Sequence, residues 1–339
     1  MAGSNESTGS LSRGSRKVVS RGLATVIAAT GGLFLVSFLF APSSLSRGVI
    51  LTMLPFAAAL AIAALGQTLV VMQGGIDLSV AGGLSLYVVI VTKYPAGDNS
   101  RLLAAIGIAF LAAICAGSLN GWLIGRMRLN PIVATLGTNA LFFGAVLWYT
   151  AGIPTTTTAR LARVGGGLWF GIPAPLYFAV VVTAVVTAVV KLTPEGRRFE
   201  GVGANETAAR TAGIRVKRHR TSAYVWAQIL YCLAGVLHAG IVNQPTAYEG
   251  NNYLLPTVAA VVLGGTSLLG GRGNLVATAG AALFLSQLDQ FVLALGVTYA
   301  TRTLVQAAAL AVGVALYTID WGALVRHLAA YRPKSVAPT

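Results

Sequence analysis

Side chains able to do acid–base or metal chemistry are few and scattered in this chain. Its 339 residues include only nine Asp or Glu and three His. His219 and His327 fall in polar, basic segments, whereas His238 stands alone in an apolar run. Asp77 and Asp289 are acids set in or against apolar stretches. Hydrolase or transferase chemistry would need a serine elbow with its base, a zinc-binding histidine pair or an aspartate-rich metal motif. None of these spacings occurs. The run GGTSLLGGRG (264–273) could offer backbone N–H groups to a phosphate, but it lacks the Gly-Lys-Ser/Thr ending of a nucleotide loop and follows no soluble strand. Its glycines are expected to turn a helix end sharply, with Arg272 at headgroup level. The sequence therefore predicts no catalytic residue, no metal site and no cofactor held by this chain. An ionisable group in hydrocarbon is a functional candidate by default, so Asp77, His238 and Asp289 define one alternative chemistry, a proton relay.

The elements that must position these groups are membrane helices. Hydrophobic residues make up 55% of the chain and charged residues 10%, with a mean hydropathy of +0.75. Soluble domains carry roughly 25% charge, so a single water-surrounded core does not account for this composition. The forty glycines sit inside apolar stretches and read as close helix packing. Cys115 and Cys232, both in apolar runs, read as inert core residues. A span needs about 20 mostly apolar residues. Ten candidates lie near 22–40, 49–72, 77–92, 102–124, 132–151, 168–190, 222–243, 255–270, 275–295 and 301–319. The reading is an all-α, polytopic bundle: a disordered basic tail (1–21), a membrane domain (22–319) with a long polar loop (192–221), and a C-terminal tail (320–339).

The net charge of +15 is an orientation signal here, and nucleic acid is not expected as a partner. Four Lys or Arg fall in 1–21, two in 125–131, eight in 191–221, one in 271–274 and three in the C-terminal tail, together 18 of the 24. All five segments share one side if there are ten spans, which places both termini in the cytoplasm. The basic loop residues Arg215, Lys217, Arg218 and Arg220 are also suited to anionic lipid headgroups.

Within the loop, Asn205 is a good N-cap, Glu206 lies near the positive end of the following turn, and Gly213 is a C-terminal stop. Glu206 and Arg210 are spaced to pair, and Ala208, Ala209 and Ala212 leave a small smooth surface. A two-turn helix is not stable alone, so the loop must rest on the membrane helices or on a partner. Polar residues set within or beside the spans include Gln67, Asp77, Ser79, Thr135, Thr138, Asn139, Gln287 and Asp289. Each could line a pathway or serve as interhelical glue, because a polar group in hydrocarbon must face protein or water.

Five stretches, in order, resemble one family: Gly66 with Gln67, GGIDLSVAG (74–82), NPIVATLGT (130–138), EGRRFEGVGANETAARTAGI (195–214) and AAVVLGGTSLLGGRG (259–273). Over roughly residues 50–318 the chain is similar to the ABC transporter permeases of the ribose and simple-sugar branch of bacterial importers. The resemblance implies an inner-membrane subunit without a nucleotide site of its own, working by alternating access. It implies a partner ATPase that binds ATP and magnesium, a second permease subunit, and a periplasmic or lipid-anchored binding protein that delivers the sugar. It also implies that residues 204–214 dock on the ATPase, with Asn205, Glu206, Ala208, Ala209, Arg210 and Gly213 on or near the contact. The chain departs from the family's Tyr-Glu-Leu-Asp sequence, having Tyr253, Leu254, Leu255 and Pro256. Other solutes of related importers, such as nucleosides, a signalling furanose or branched-chain amino acids, remain alternatives.

Overall fold

The structure, a computed structural model, describes residues 21–298 together with 300, 301, 303–305, 307, 308 and 311. In chain order the elements are α1 (Arg21–Phe40), a 3-10 turn (Pro42–Leu45), α2 (Arg47–Met72), α3 (Val80–Lys93), α4 (Leu102–Gly125), α5 (Pro131–Thr150) and α6 (Ala159–Gly165). The hairpin β1 (Leu168–Trp169) and β2 (Ile172–Pro173) follows, then α7 (Ala174–Leu192), α8 (Pro194–Ala204), α9 (Glu206–Thr211), α10 (Val216–Ile241), α11 (Asn251–Leu263) and α12 (Leu275–Ala294). Helices α1, α2, α4, α5, α7, α10 and α12 are long and apolar enough to cross a bilayer, and α3 and α11 are shorter apolar helices between them. The protein is a polytopic helical membrane protein.

Local chemistry sets most of the boundaries. Asn130, Thr193, Asn205 and Asn274 accept hydrogen bonds from the first turns of α5, α8, α9 and α12, satisfying donors that no intrahelical carbonyl can reach. The expected span at 168–190 loses its first six residues. Phe170 and Gly171 take left-handed backbone (φ 52° and 80°) and close the β1–β2 hairpin before α7 begins. The expected span at 222–243 begins earlier, because α10 absorbs the basic residues from Val216 onward into its first turns. The expected span at 255–270 ends at Leu263, where Gly264 and Gly265 (φ 76°) break it. Most of the tenth expected span, and all of both expected tails except Arg21, lie outside the described residues.

α2 and α10 form the buried centre. On α4, Ala105, Ala109, Ala113, Gly117, Gly121 and Gly125 repeat every fourth residue, and all are buried. This stripe lets α10 approach closely. A Cβ on Gly117 would stand 2.5 Å from Val225 Cα, and one on Gly121 would stand 2.8 Å from Thr221 Cα. On the other flank of α10, Gly66 of α2 makes room for Tyr231, whose ring lies 2.8 Å from where a Cβ would be.

Candidate functional site

Between α2 and α3 the chain runs through the non-helical segment 73–79, in which Gln73, Gly75, Asp77 and Ser79 are buried. Irregular backbone at membrane depth needs partners for its polar groups, and neighbouring helices supply them. Asp77 Oδ1 accepts from Ser79 N at 2.9 Å and Ser79 Oγ at 2.5 Å, while Thr135 Oγ1 of α5 accepts from Leu78 N at 3.0 Å. Asn139 Oδ1 accepts from Gly82 N at 2.7 Å. Gln67, with its amide nitrogen toward the Asp77 carbonyl, donates to that oxygen and accepts from Asp77 N, both at 3.1 Å. Gln228 of α10 donates to Ser79 Oγ at 2.8 Å and accepts from Tyr87 OH at 2.7 Å, and Asn120 of α4 donates to the same Ser79 Oγ at 2.9 Å. Five helices are therefore tied to one buried knot.

A 560 Å³ cavity opens at the end of the bundle where α2 starts and α10 ends. Its walls come from α2, the end of α10, α11 and α12, with Thr303 and Ala307 beyond. This volume lies within the roughly 300–1,000 Å³ of small-molecule sites. Phe56, Met53, Leu255 and Pro256 supply apolar wall, and Glu249, Asn251, Asn252, Ser286, Asp289 and Gln290 supply polar groups. At its edge His238 Nε2 meets Glu249 Oε2 at 3.0 Å, and His238 Nδ1 meets Tyr253 OH at 2.8 Å. Glu249 Oε1 accepts from Thr246 N at 2.8 Å and Thr246 Oγ1 at 2.9 Å. Burial alone would raise the Glu249 carboxyl, but the hydrogen bonds from His238 and Thr246 outweigh it and hold the group at about 2.

At the opposite, basic end, α8 and α9 form a platform against the ends of the spans. Gln73 Nε2 donates to Phe199 O at 2.8 Å, and Gly271 N donates to Met72 O at 2.8 Å. Gly203 packs where even a Cβ would strike Met72 O, at 1.8 Å. Phe199 and Val202 of α8 face inward and are buried. α9 is capped by Asn205, whose Oδ1 accepts from Ala208 N at 3.0 Å, and ends at Gly213 in left-handed backbone (φ 75°). Glu206 pairs with Arg210 at 2.6 Å and also with Arg220 of α10 at 3.1 Å. Ala209 is buried against Val202 and Val216, which leaves Ala208, Arg210 and Ala212 exposed.

The expected polar candidates thus divide by location. Gln67, Asp77, Ser79, Thr135 and Asn139 satisfy the backbone at the start of α3, and Thr138 donates to Thr135 O at 3.1 Å. Gln287 is buried and donates to Ser37 Oγ at 3.1 Å, tying α12 to α1. Of the eight, Asp289 is the one among the described cavity-lining residues. Glu249 was not expected. Its signal was an acid eleven residues after a membrane-embedded histidine, with no Lys or Arg between them. Cys115 and Cys232 are both free thiols, and among the described residues no cluster of His, Cys, Asp or Glu could hold a metal ion.

A profile of the family described as branched-chain amino acid transport system / permease component matches residues 49–314. A ribose import permease protein of Bacillus subtilis is 35% identical over 293 residues, covering 84% of this chain and 90% of that protein. Its counterpart in Escherichia coli K12 is 34% identical over 264 residues, covering 75% and 80%. An autoinducer 2 import system permease protein of Enterobacter is 34% identical over 234 residues, covering 67% and 66%. No solved structure matches the chain at a significant level.

Proposed function

Because the chain belongs to the branched-chain amino acid transport system / permease component family, and is a multi-pass bacterial inner-membrane protein, we propose that it is the membrane-spanning subunit of an ABC importer for a sugar or sugar-like solute. The observation that carries this reading is the α8–α9 platform. The short helix α9, capped at both ends, buried on one face and bare on the other, is tied to α10, and α8 before it is fastened to the end of α2 and the 264–274 turn. Such a helix suits a groove on a separate ATPase, which supplies the ATP and magnesium. Ala208, Arg210 and Ala212 form the contact, Ala209 seats α9 on the chain, and Asn205 and Gly213 fix its length. Glu206 has a further task, since its bond to Arg220 ties α9 to α10. The basic end is cytoplasmic on this reading, and the 560 Å³ cavity faces the side from which a binding protein delivers solute. A second permease subunit completes the pathway. The relatives' names point to ribose and autoinducer 2 as solutes.

The test is affinity purification of the detergent-solubilised chain expressed with its neighbouring genes. The expected result is a co-purifying ATPase whose association is lost in Ala208→Arg, together with ATP-dependent uptake. Association and uptake that survive both Ala208→Arg and Arg210→Glu contradict the docking role of α9.

A further inference from the structure

We infer that Glu249, oriented by His238 and Tyr253, is the group that recognises a hydroxyl of the transported solute, in a subsite for neutral polyhydroxylated rings between α2, α10, α11 and α12. This rests on the importer reading above and adds to it a place and a specificity.

The geometry of the carboxylate carries the argument. An ionised carboxylate only accepts hydrogen bonds and has about four lone-pair positions. Oε1 already takes Thr246 N and Thr246 Oγ1, and Oε2 takes His238 Nε2. One acceptor position on Oε2 is left, and the side chain is 13% exposed at the cavity's edge. Glu249 can therefore accept one hydroxyl from a bound molecule while its own orientation stays fixed. The orientation comes from behind. Because Glu249 only accepts, His238 donates to it through Nε2, and in the neutral ring Nδ1 then accepts from Tyr253 OH. His238 is also held by an edge contact with Phe56 and by the perpendicular ring of Tyr253. A recognition group with a locked rotamer loses little freedom on binding.

The rest of the cavity fits the same class of solute. Small-molecule sites are mostly apolar with a few placed polar groups. Phe56, 41% exposed, offers a flat apolar wall for the C–H face of a ring. Asn251, Asn252 and Gln290 can both donate and accept, which is what a set of hydroxyls requires. Glu249 and Asp289 are acidic, and no Lys or Arg lies among the described lining residues. The two carboxylates disfavour a phosphorylated or carboxylated sugar beside them.

The test uses the permease–ATPase complex in lipid nanodiscs, without the binding protein, and saturation-transfer NMR. The probes are D-ribose, D-xylose and xylitol, with ribose 5-phosphate as the anionic comparator. The expected result is transfer to ring or chain protons of at least one neutral probe and none to the phosphate. Glu249→Gln weakens binding about tenfold or more, the scale of one hydrogen bond to a charged group. Glu249→Asp, which keeps the charge and guards against misfolding of the first variant, weakens it less. Tyr253→Phe tests positioning. Losing the Nδ1 bond should weaken binding of the neutral probes while the amount of folded complex and its melting temperature stay the same. No transfer to any neutral probe from a complex that still imports solute with ATP overturns the subsite. So does binding that Glu249→Gln and Glu249→Asp both leave unchanged. A chain that recruits no ATPase contradicts the importer reading instead, and the same NMR measurement on the isolated permease then still decides the subsite.

Discussion

Asp77 and Glu249 are both carboxylates with partners, and their surroundings give them different work. Asp77 is fully buried and its bonds go to Ser79 and Gln228, so it stabilises the chain's re-entry into α3. Removing it leaves Ser79 and Gln228 short of acceptors inside the bundle. Asp77→Ala is expected to destabilise the protein by about 2–4 kcal/mol, read as a lower melting temperature in detergent. Glu249 lies in the connection between α10 and α11, with its carboxyl shifted from the ordinary 4.5 to about 2. The folded value is depressed, so its stabilisation is present above pH 4.5 and is lost as pH falls toward 2. Melting temperature should drop through that window, and the drop should be smaller in Glu249→Gln; equal slopes in the two proteins would show that the His238 and Thr246 bonds do not hold the carboxylate.

Helix packing depends on small residues, and the α4 stripe is its clearest case. Gly117→Val pushes a side chain into the α10 backbone and should prevent stable assembly or cost about 3 kcal/mol or more, on the scale of severe overpacking. Gly107, on the same helix, has nothing within 4 Å of an added Cβ. Gly107→Ala should be neutral or stabilise by up to about 1 kcal/mol, and thermal melts of the pair separate packing from propensity. In α9, Asn205→Ala removes the cap, worth about 1 kcal/mol. It should reduce ATP-driven uptake more than it reduces melting temperature, because the helix is short and its stability local. Capping and stop signals act over a few residues, which is why α9 was legible from Asn205 and Gly213 alone. The β1–β2 hairpin and α8 were not legible: Leu168 to Ile172 is apolar enough to pass for a helix start, and α8 is held by contacts with Met72 and Gln73 that lie more than a hundred residues away. For the same reason sequence could not separate glue from pathway. Ser79 meets Asn120 and Gln228, 41 and 149 residues on, and only the fold brings these partners to it.

Across the whole molecule, α2 and α11 connect the two ends. Both contribute wall to the 560 Å³ cavity. At the other end Met72 closes α2 against Gly203 and Gly271, and Gly264 and Gly265 lead from α11 into the same turn. A shift of the α8–α9 platform therefore bears directly on the helices that frame the cavity, as alternating access by rigid-body movement requires. Asp77 and His238 belong to separate hydrogen-bonded groups, Asp77 beside Gln228 at the middle of α10 and His238 beside Tyr253 near its end. On the proposed reading, energy enters from the separate ATPase. The most direct measurement is solute uptake into proteoliposomes holding the purified complex and its binding protein, with ATP inside and the proton gradient set independently. The account predicts uptake that requires hydrolysable ATP, persists when the proton gradient is collapsed, and is lost with Ala208→Arg. Uptake that runs without ATP and stops when the gradient is collapsed would contradict it.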